Sequence, residues 1–158
     1  MNKEVVILFA EDDEGHAGLI MHSLKRAGIR ERIVHFKDGR ETLNFLFREG
    51  EGPHREADVF YILLLDIRMP KVDGIEVMIK VKQNKELHKI PIIMVSTMED
   101  PVEMEKCWKL GCSNYFVKPV EFDKFSLTME KLGNYMKTVI YPEISGDKDV
   151  QLKKTNAK

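Results

Sequence analysis

FYILLLD, residues 60–66, sets six apolar side chains in a row and ends them with a carboxylate. Hydrophobicity without alternation marks a strand covered on both faces, as in a parallel sheet between helices. Phe60–Leu65 is therefore expected to be the central strand. Val5–Ala10 has the same character and runs into Glu11-Asp12-Asp13, and Tyr115–Val117 runs into Lys118-Pro119. If all three runs are parallel strands, these charged groups leave one carboxyl edge together, where open α/β sheets place their sites. Carboxylates crowded there repel by about 4 kcal/mol per pair at roughly 4 Å and an effective dielectric near 20. Such a cluster asks for a bound cation or a functional reason.

Outward from these runs, strand-like and helix-like segments alternate. Ala17, Ile20, Met21, Leu24 and Ala27 recur at helical spacing and Gly28 stops the helix. Arg32–Phe36 is a short second strand, and a helix opening at Asp38 or Gly39 carries Leu43, Phe45, Leu46 and Phe47. Arg48–Ala57 is polar, with two glycines and a proline, and reads as a loop. Ile75, Met78, Ile79 and Val81 give a third helix, and Pro91–Val95 a fourth strand with proline at its first residue. Asp100-Pro101 supplies an N-cap and first-turn proline for a fourth helix, closed by Gly111. After the fifth strand, Asn114–Val117, comes a helix with Phe122, Phe125, Met129, Leu132, Met136 and Val139. Five strands and five helices in strict alternation specify a doubly wound parallel α/β sheet with helices on both faces. One domain over residues 1–141 is expected, followed by a mobile lysine-rich tail over 142–158.

The bulk properties agree. A chain of 158 residues with 43% hydrophobic and 32% charged content can bury a real core and is not disordered in type. A net charge of -1 gives no general attraction to nucleic acid or anionic membranes. Val59–Leu65, the longest apolar run, is too short to cross a bilayer, and the first residues lack the pattern of a secretion signal. A cytoplasmic protein is expected. Cys107 and Cys112 match no zinc or thioredoxin spacing and read as small buried hydrophobes.

With these motifs in order, the chain resembles the receiver domain of two-component response regulators over roughly residues 4–140. The resemblance is carried by Glu11-Asp12-Asp13, by Asp66 within LLLDIRMPKVDG, by Ser96-Thr97 after PIIMV, and by Lys118-Pro119 after NYFV. It implies a flavodoxin-like strand order 2-1-3-4-5 and a Mg²⁺-dependent phosphoacceptor site. Asp66 would be the acceptor. Glu11, Asp12, Asp66 and the backbone carbonyl of Arg68 would hold Mg²⁺, a hard cation satisfied by oxygen ligands. Lys118 would neutralise the phosphoryl charge. Ser96 would be the hydroxyl that moves toward the phosphate, Tyr115 the aromatic that swings with it, and Pro119 would follow a cis peptide bond. Arg68 and Met98 occupy positions that tune access of water. Asp13 reads as an exposed residue introducing the first helix as readily as a metal ligand.

Further expectations follow from the resemblance. A sensor histidine kinase donates the phosphoryl group, and the chain catalyses only its own phosphorylation and dephosphorylation. A homodimer through the fourth helix, fifth strand and fifth helix is implied by similarity to small regulators paired with bacterial phytochrome-type kinases. Output passes to a protein partner, with no nucleic acid or membrane involved. Trp108 is either core or part of a partner face. His16, His22, His35, His54 and His88 read as surface or incidental. Other functions fit these residues less well. A phosphohydrolase with an aspartyl-phosphate intermediate favours a second aspartate two residues after the nucleophile, where this chain has Arg68. A constitutive protein-binding module would not need Asp12, Asp66, Ser96 and Lys118 together.

Overall fold

The computed structural model describes residues 4–97 and 99–138. The strands are β1 (Glu4–Ala10), β2 (Arg32–Phe36), β3 (Val59–Leu65), β4 (Ile92–Ser96) and β5 (Asn114–Val117). Between and after them run α1 (Glu14–Arg26), α2 (Gly39–Phe47), α3 (Gly74–Gln83), α4 (Pro101–Leu110) and α5 (Phe122–Met136). The strands form one parallel sheet in the order β2-β1-β3-β4-β5.

All seven residues of β3 are buried. Side-chain alternation divides the core into two layers. Val6, Leu8, Ala10, Tyr61, Leu63 and Leu65 face the layer that includes residues of α2 and α3. Ile7, Phe9, Ile62 and Leu64 face the layer that includes residues of α1 and α5. Those last two helices approach closely, because a Cβ at Gly133 would lie 2.5 Å from the Ala27 methyl.

Four helices start in the same way. Asp13, Asp38, Asp73 and Asp100 each accept a backbone N–H of the first helical turn, satisfying donors that have no intrahelical partner. α5 starts at Glu121 with no side-chain cap. At its far end α4 closes on Gly111, whose φ of 99° is the left-handed conformation that glycine tolerates best.

Small differences from the sequence reading have clear causes. Pro91 precedes β4 rather than opening it, since it has no N–H to donate, yet its carbonyl accepts from Leu63 N at 2.9 Å. Ser96 is the last residue of β4, where it pairs in register with Val117. β1 and β3 each begin one residue earlier than the expected strands, at Glu4 and Val59, which are paired with each other. The expected tail, Val139 and Met98 lie outside the described residues.

Candidate functional site

Glu11 leaves the end of β1 and is tied to β2 twice. Its N–H donates to the Phe36 carbonyl at 3.0 Å, and its own carbonyl lies 2.7 Å from His35 Nε2. The His35 ring rests against Phe9, 5.4 Å between centroids. Asp66 leaves the end of β3, its N–H donating to the Ala10 carbonyl at 3.1 Å. Lys118 leaves β5, its N–H donating to the Ser96 carbonyl at 2.8 Å. Three parallel strands of one sheet thus bring the three side chains to one edge, as the apolar runs implied.

The loop after Asp66 is folded back on itself. Gly74 N donates to the Ile67 carbonyl at 2.7 Å, and Asp66 Oδ1 accepts from Ile67 N at 2.7 Å. This return path presses the start of α3 directly under the acidic residue.

At the centre stands the Lys118 ammonium. It donates to Glu11 Oε1 at 2.5 Å and to Asp66 Oδ2 at 3.2 Å, and all three side chains are almost wholly buried. His16 Nδ1 lies 3.3 Å from the same nitrogen. Glu11 Oε2 also accepts from Asp13 N at 3.1 Å. Burial, and next the negative charge of Asp66, push the Glu11 carboxyl up to about 7 against the pull of Lys118. Asp13 is held below the usual carboxylate range, chiefly by the His16 backbone N–H. It therefore introduces α1 as a cap.

Glu11, Asp12 and Asp66 each offer one oxygen, and these oxygens lie within 4.8 Å of one another. Asp12 is exposed while the other two are buried, so the cluster is open on one side. Three carboxylates against one ammonium leave an excess of negative charge, and hard oxygen donors of this kind suit a divalent cation that keeps several waters. The donor set fits Mg²⁺.

Ser96 is buried and hydrogen-bonded to the Tyr115 hydroxyl. Burial, then the proximity of Cys107, pushes the Tyr115 phenol up to about 12. Tyr115 is half-buried, directed inward toward β4. Thr97 and Arg68 are exposed beside the site. Trp108 is 48% exposed, so it belongs to the surface rather than the core. Cys107 and Cys112 are buried free thiols, as their spacing implied.

Two sequence expectations need correction. The Lys118–Pro119 peptide is trans, since no described residue has a cis bond. Trans is the favoured X–Pro isomer by about 0.5–1 kcal/mol, and Val120 just beyond it is fully exposed. Nor are all five histidines incidental. His22, His54 and His88 are exposed, but His16 reaches Lys118 and His35 holds the Glu11 backbone. A signal for His16 existed: it stands four residues before Ile20 and eight before Leu24, on the row of α1 that faces the sheet.

An open parallel sheet carrying a buried carboxylate–lysine site at its carboxyl edge defines the receiver class of signalling domain. Residues 7–130 match the response regulator receiver domain family, and the chain belongs to that family. It is a phosphoacceptor domain of two-component signal transduction. The probable methanogenesis regulatory protein FilR2 of Methanothrix harundinacea is 34% identical over 130 residues, which span 82% of each chain. A receiver domain structure from Rhodospirillum rubrum superimposes with a TM-score of 0.83 at 33% identity, covering 89% of this chain and 99% of that one. Response regulator Rcp1 of Synechocystis is 28% identical over 89% of this chain and 95% of its own. Its Mn²⁺-bound structure gives a TM-score of 0.78. Phytochrome-associated response regulators are among the other structural neighbours.

Proposed function

We propose that Asp66 accepts the phosphoryl group, and the observation that supports this best is its place in the site. It is a buried carboxylate, held at its backbone and at Oδ1, with Oδ2 facing a buried ammonium at 3.2 Å. A carboxylate oxygen of Asp66 attacks phosphorus, an acyl P–O bond forms, and the P–N bond to the donor kinase histidine breaks, returning the electron pair to the imidazole. Glu11, Asp12, Asp66 and the Arg68 carbonyl are the groups that would hold Mg²⁺. When bound, the ion offsets charge on the phosphoryl oxygens.

The residues of the chain itself do the rest. Lys118 neutralises a phosphoryl oxygen as a point charge with no need to reorganise far. Ser96 donates its hydroxyl to another oxygen, giving up its bond to Tyr115. Because Ser96 and Tyr115 share that bond, charge at Asp66 reaches the outer face of β5 through one exchange of partners. The exposed apolar groups near that face, Val102 and Trp108 on α4 and Phe122 on α5, support a homodimer through α4, β5 and α5. Its expected readout is a mass in sedimentation that falls to the monomer in Trp108→Glu. The chain's turnover is confined to its own acyl phosphate, and output passes to a protein partner.

The test is intact-mass measurement after incubation with a small acyl-phosphate donor, with and without Mg²⁺, on the wild type and Asp66→Asn. A single Mg²⁺-dependent phosphoryl addition, lost in the variant, supports the assignment. Labelling of Asp66→Asn at a comparable rate refutes it.

A further inference from the structure

Lys118 has three hydrogens and no lone pair, and three acceptors stand around it. Two are the carboxylates of Glu11 and Asp66 at 2.5 and 3.2 Å; the third is a ring nitrogen, His16 Nδ1 at 3.3 Å. Since the ammonium can only donate, Nδ1 must accept. A hydrogen bond here thus requires the tautomer that carries its proton on Nε2. The ring is held from two directions. Its backbone N–H is fixed by Asp13 Oδ1 at 3.0 Å in the first turn of α1, and the ring packs on Phe125 of α5 at 5.7 Å and 34°.

We propose that His16 is a positioning residue for Lys118 in phosphoryl transfer, a role that rests on the reading of Asp66 as acceptor. A lysine side chain has four rotatable bonds, and between two carboxylates the ammonium is drawn to the nearer one, Glu11. A third acceptor on the α1 side occupies the remaining N–H and limits the travel of the ammonium away from Asp66. A ring nitrogen that accepts carries no negative charge, so it does so without cancelling the positive charge that the incoming phosphoryl group needs. A carboxylate at position 16 would add negative charge to an already acidic cluster. The contact also ties the Lys118 loop to α1 and, through Phe125, to α5. Lys118 is thereby set from three elements rather than from its own strand alone.

Two substitutions separate this role from plain packing. His16→Phe keeps a ring against Phe125 and removes the acceptor. His16→Asn places an amide oxygen near the former Nδ1 position. Both are compared with the wild type for rate of labelling by a small acyl phosphate, for Mg²⁺ affinity by calorimetry, and for the Lys118 ammonium resonance by NMR. The expected result is labelling about tenfold slower in His16→Phe, the loss of one hydrogen bond to a charged group. Mg²⁺ affinity stays unchanged, the Lys118 resonance shifts, and His16→Asn recovers most of the rate. Wild-type speed in His16→Phe overturns the proposal, and so does equal slowness in both variants. An unmoved Lys118 resonance overturns the contact itself. No labelling of the wild type brings down the Asp66 assignment and this role with it, whereas a labelled wild type with an indifferent His16 removes the role alone.

Discussion

A Cβ on Gly74 would stand 2.0 Å from the carbonyl oxygen of Asp66. The residue that opens α3 thus lies directly against the backbone of the residue that follows β3, and the obstacle is main chain, which no rotamer change can move. Gly74→Ala is expected to destabilise the fold by about 2–3 kcal/mol, the scale of an overpacked site with a forced backbone shift. It should also slow labelling of Asp66, because the displaced peptide carries Ile67 N, the donor to Asp66 Oδ1. Urea denaturation checks the first outcome, and a wild-type midpoint contradicts it.

Glu11 and Asp66 share one ammonium, and the second carboxylate is part of what raises the first. In metal-free protein the Glu11 carboxyl should titrate near 7, and in Asp66→Asn it should move down toward its ordinary 4.5. The stability consequence has a definite sign. The folded chain keeps a proton on Glu11 that the unfolded chain releases from about 4.5 upward, so this contribution is complete below that pH and is lost as pH rises to about 7. Carbon NMR of the Glu11 carboxyl follows the titration directly. A midpoint that is the same in both proteins would mean that burial alone raises it.

How much of this was readable beforehand varies with the kind of interaction. The ends of β1, β2, β3 and β5 coincide with the ends of apolar runs, because burial on both faces stops where charged side chains must reach water. That placed Glu11, Asp66 and Lys118 on one edge. Ser96 was harder to place, since a small hydroxyl pairs in a strand as readily as it sits in a loop, and only its register with Val117 decides. His35 was not legible at all, because its bond to the Glu11 carbonyl depends on β2 lying beside β1. His16 was legible as an inward helical position but not as a partner of Lys118, which stands 102 residues away. The trans bond before Pro119 departs from what the family resemblance implied.

The metal ligands and the lysine should separate cleanly in a binding experiment. Asp12 is exposed and offers an oxygen to the cluster with little other work, so Asp12→Ala is expected to weaken Mg²⁺ binding by tenfold or more, roughly the loss of one charged ligand. Lys118→Met removes a positive charge from the same site and should leave Mg²⁺ affinity equal or higher. In metal-free buffer it should destabilise the fold by about 3 kcal/mol, since breaking a buried ion pair strands its partners. Added Mg²⁺ should then restore part of that loss. Calorimetry with paired denaturation curves measures both, and an equal loss of Mg²⁺ affinity in the two variants contradicts the assigned roles.

α4 is the helix with the least of itself in the core. Cys107 is its one buried residue, whereas α1, α2, α3 and α5 each bury four or five. An element held by so little apolar area should open locally at a cost well below that of global unfolding. Cys107 reports the opening. Its thiol is fully buried, and burial, with Cys112 adding to the effect, pushes it up to about 11. At pH 8 the docked thiol is therefore only about one part in a thousand thiolate, besides being out of reach of reagent. In a Cys112→Ser background, labelling of Cys107 should be at least about a hundredfold slower than that of a free thiol. It should also be faster than global unfolding permits, with little dependence on low urea, because opening α4 exposes little surface. Phosphorylation should change this rate, since Tyr115 is bonded to Ser96 and close enough to Cys107 to feel its charge, so movement of its ring alters the seat of the helix. A labelling rate that follows the global unfolding curve at every urea concentration would show α4 to be as firmly held as the sheet.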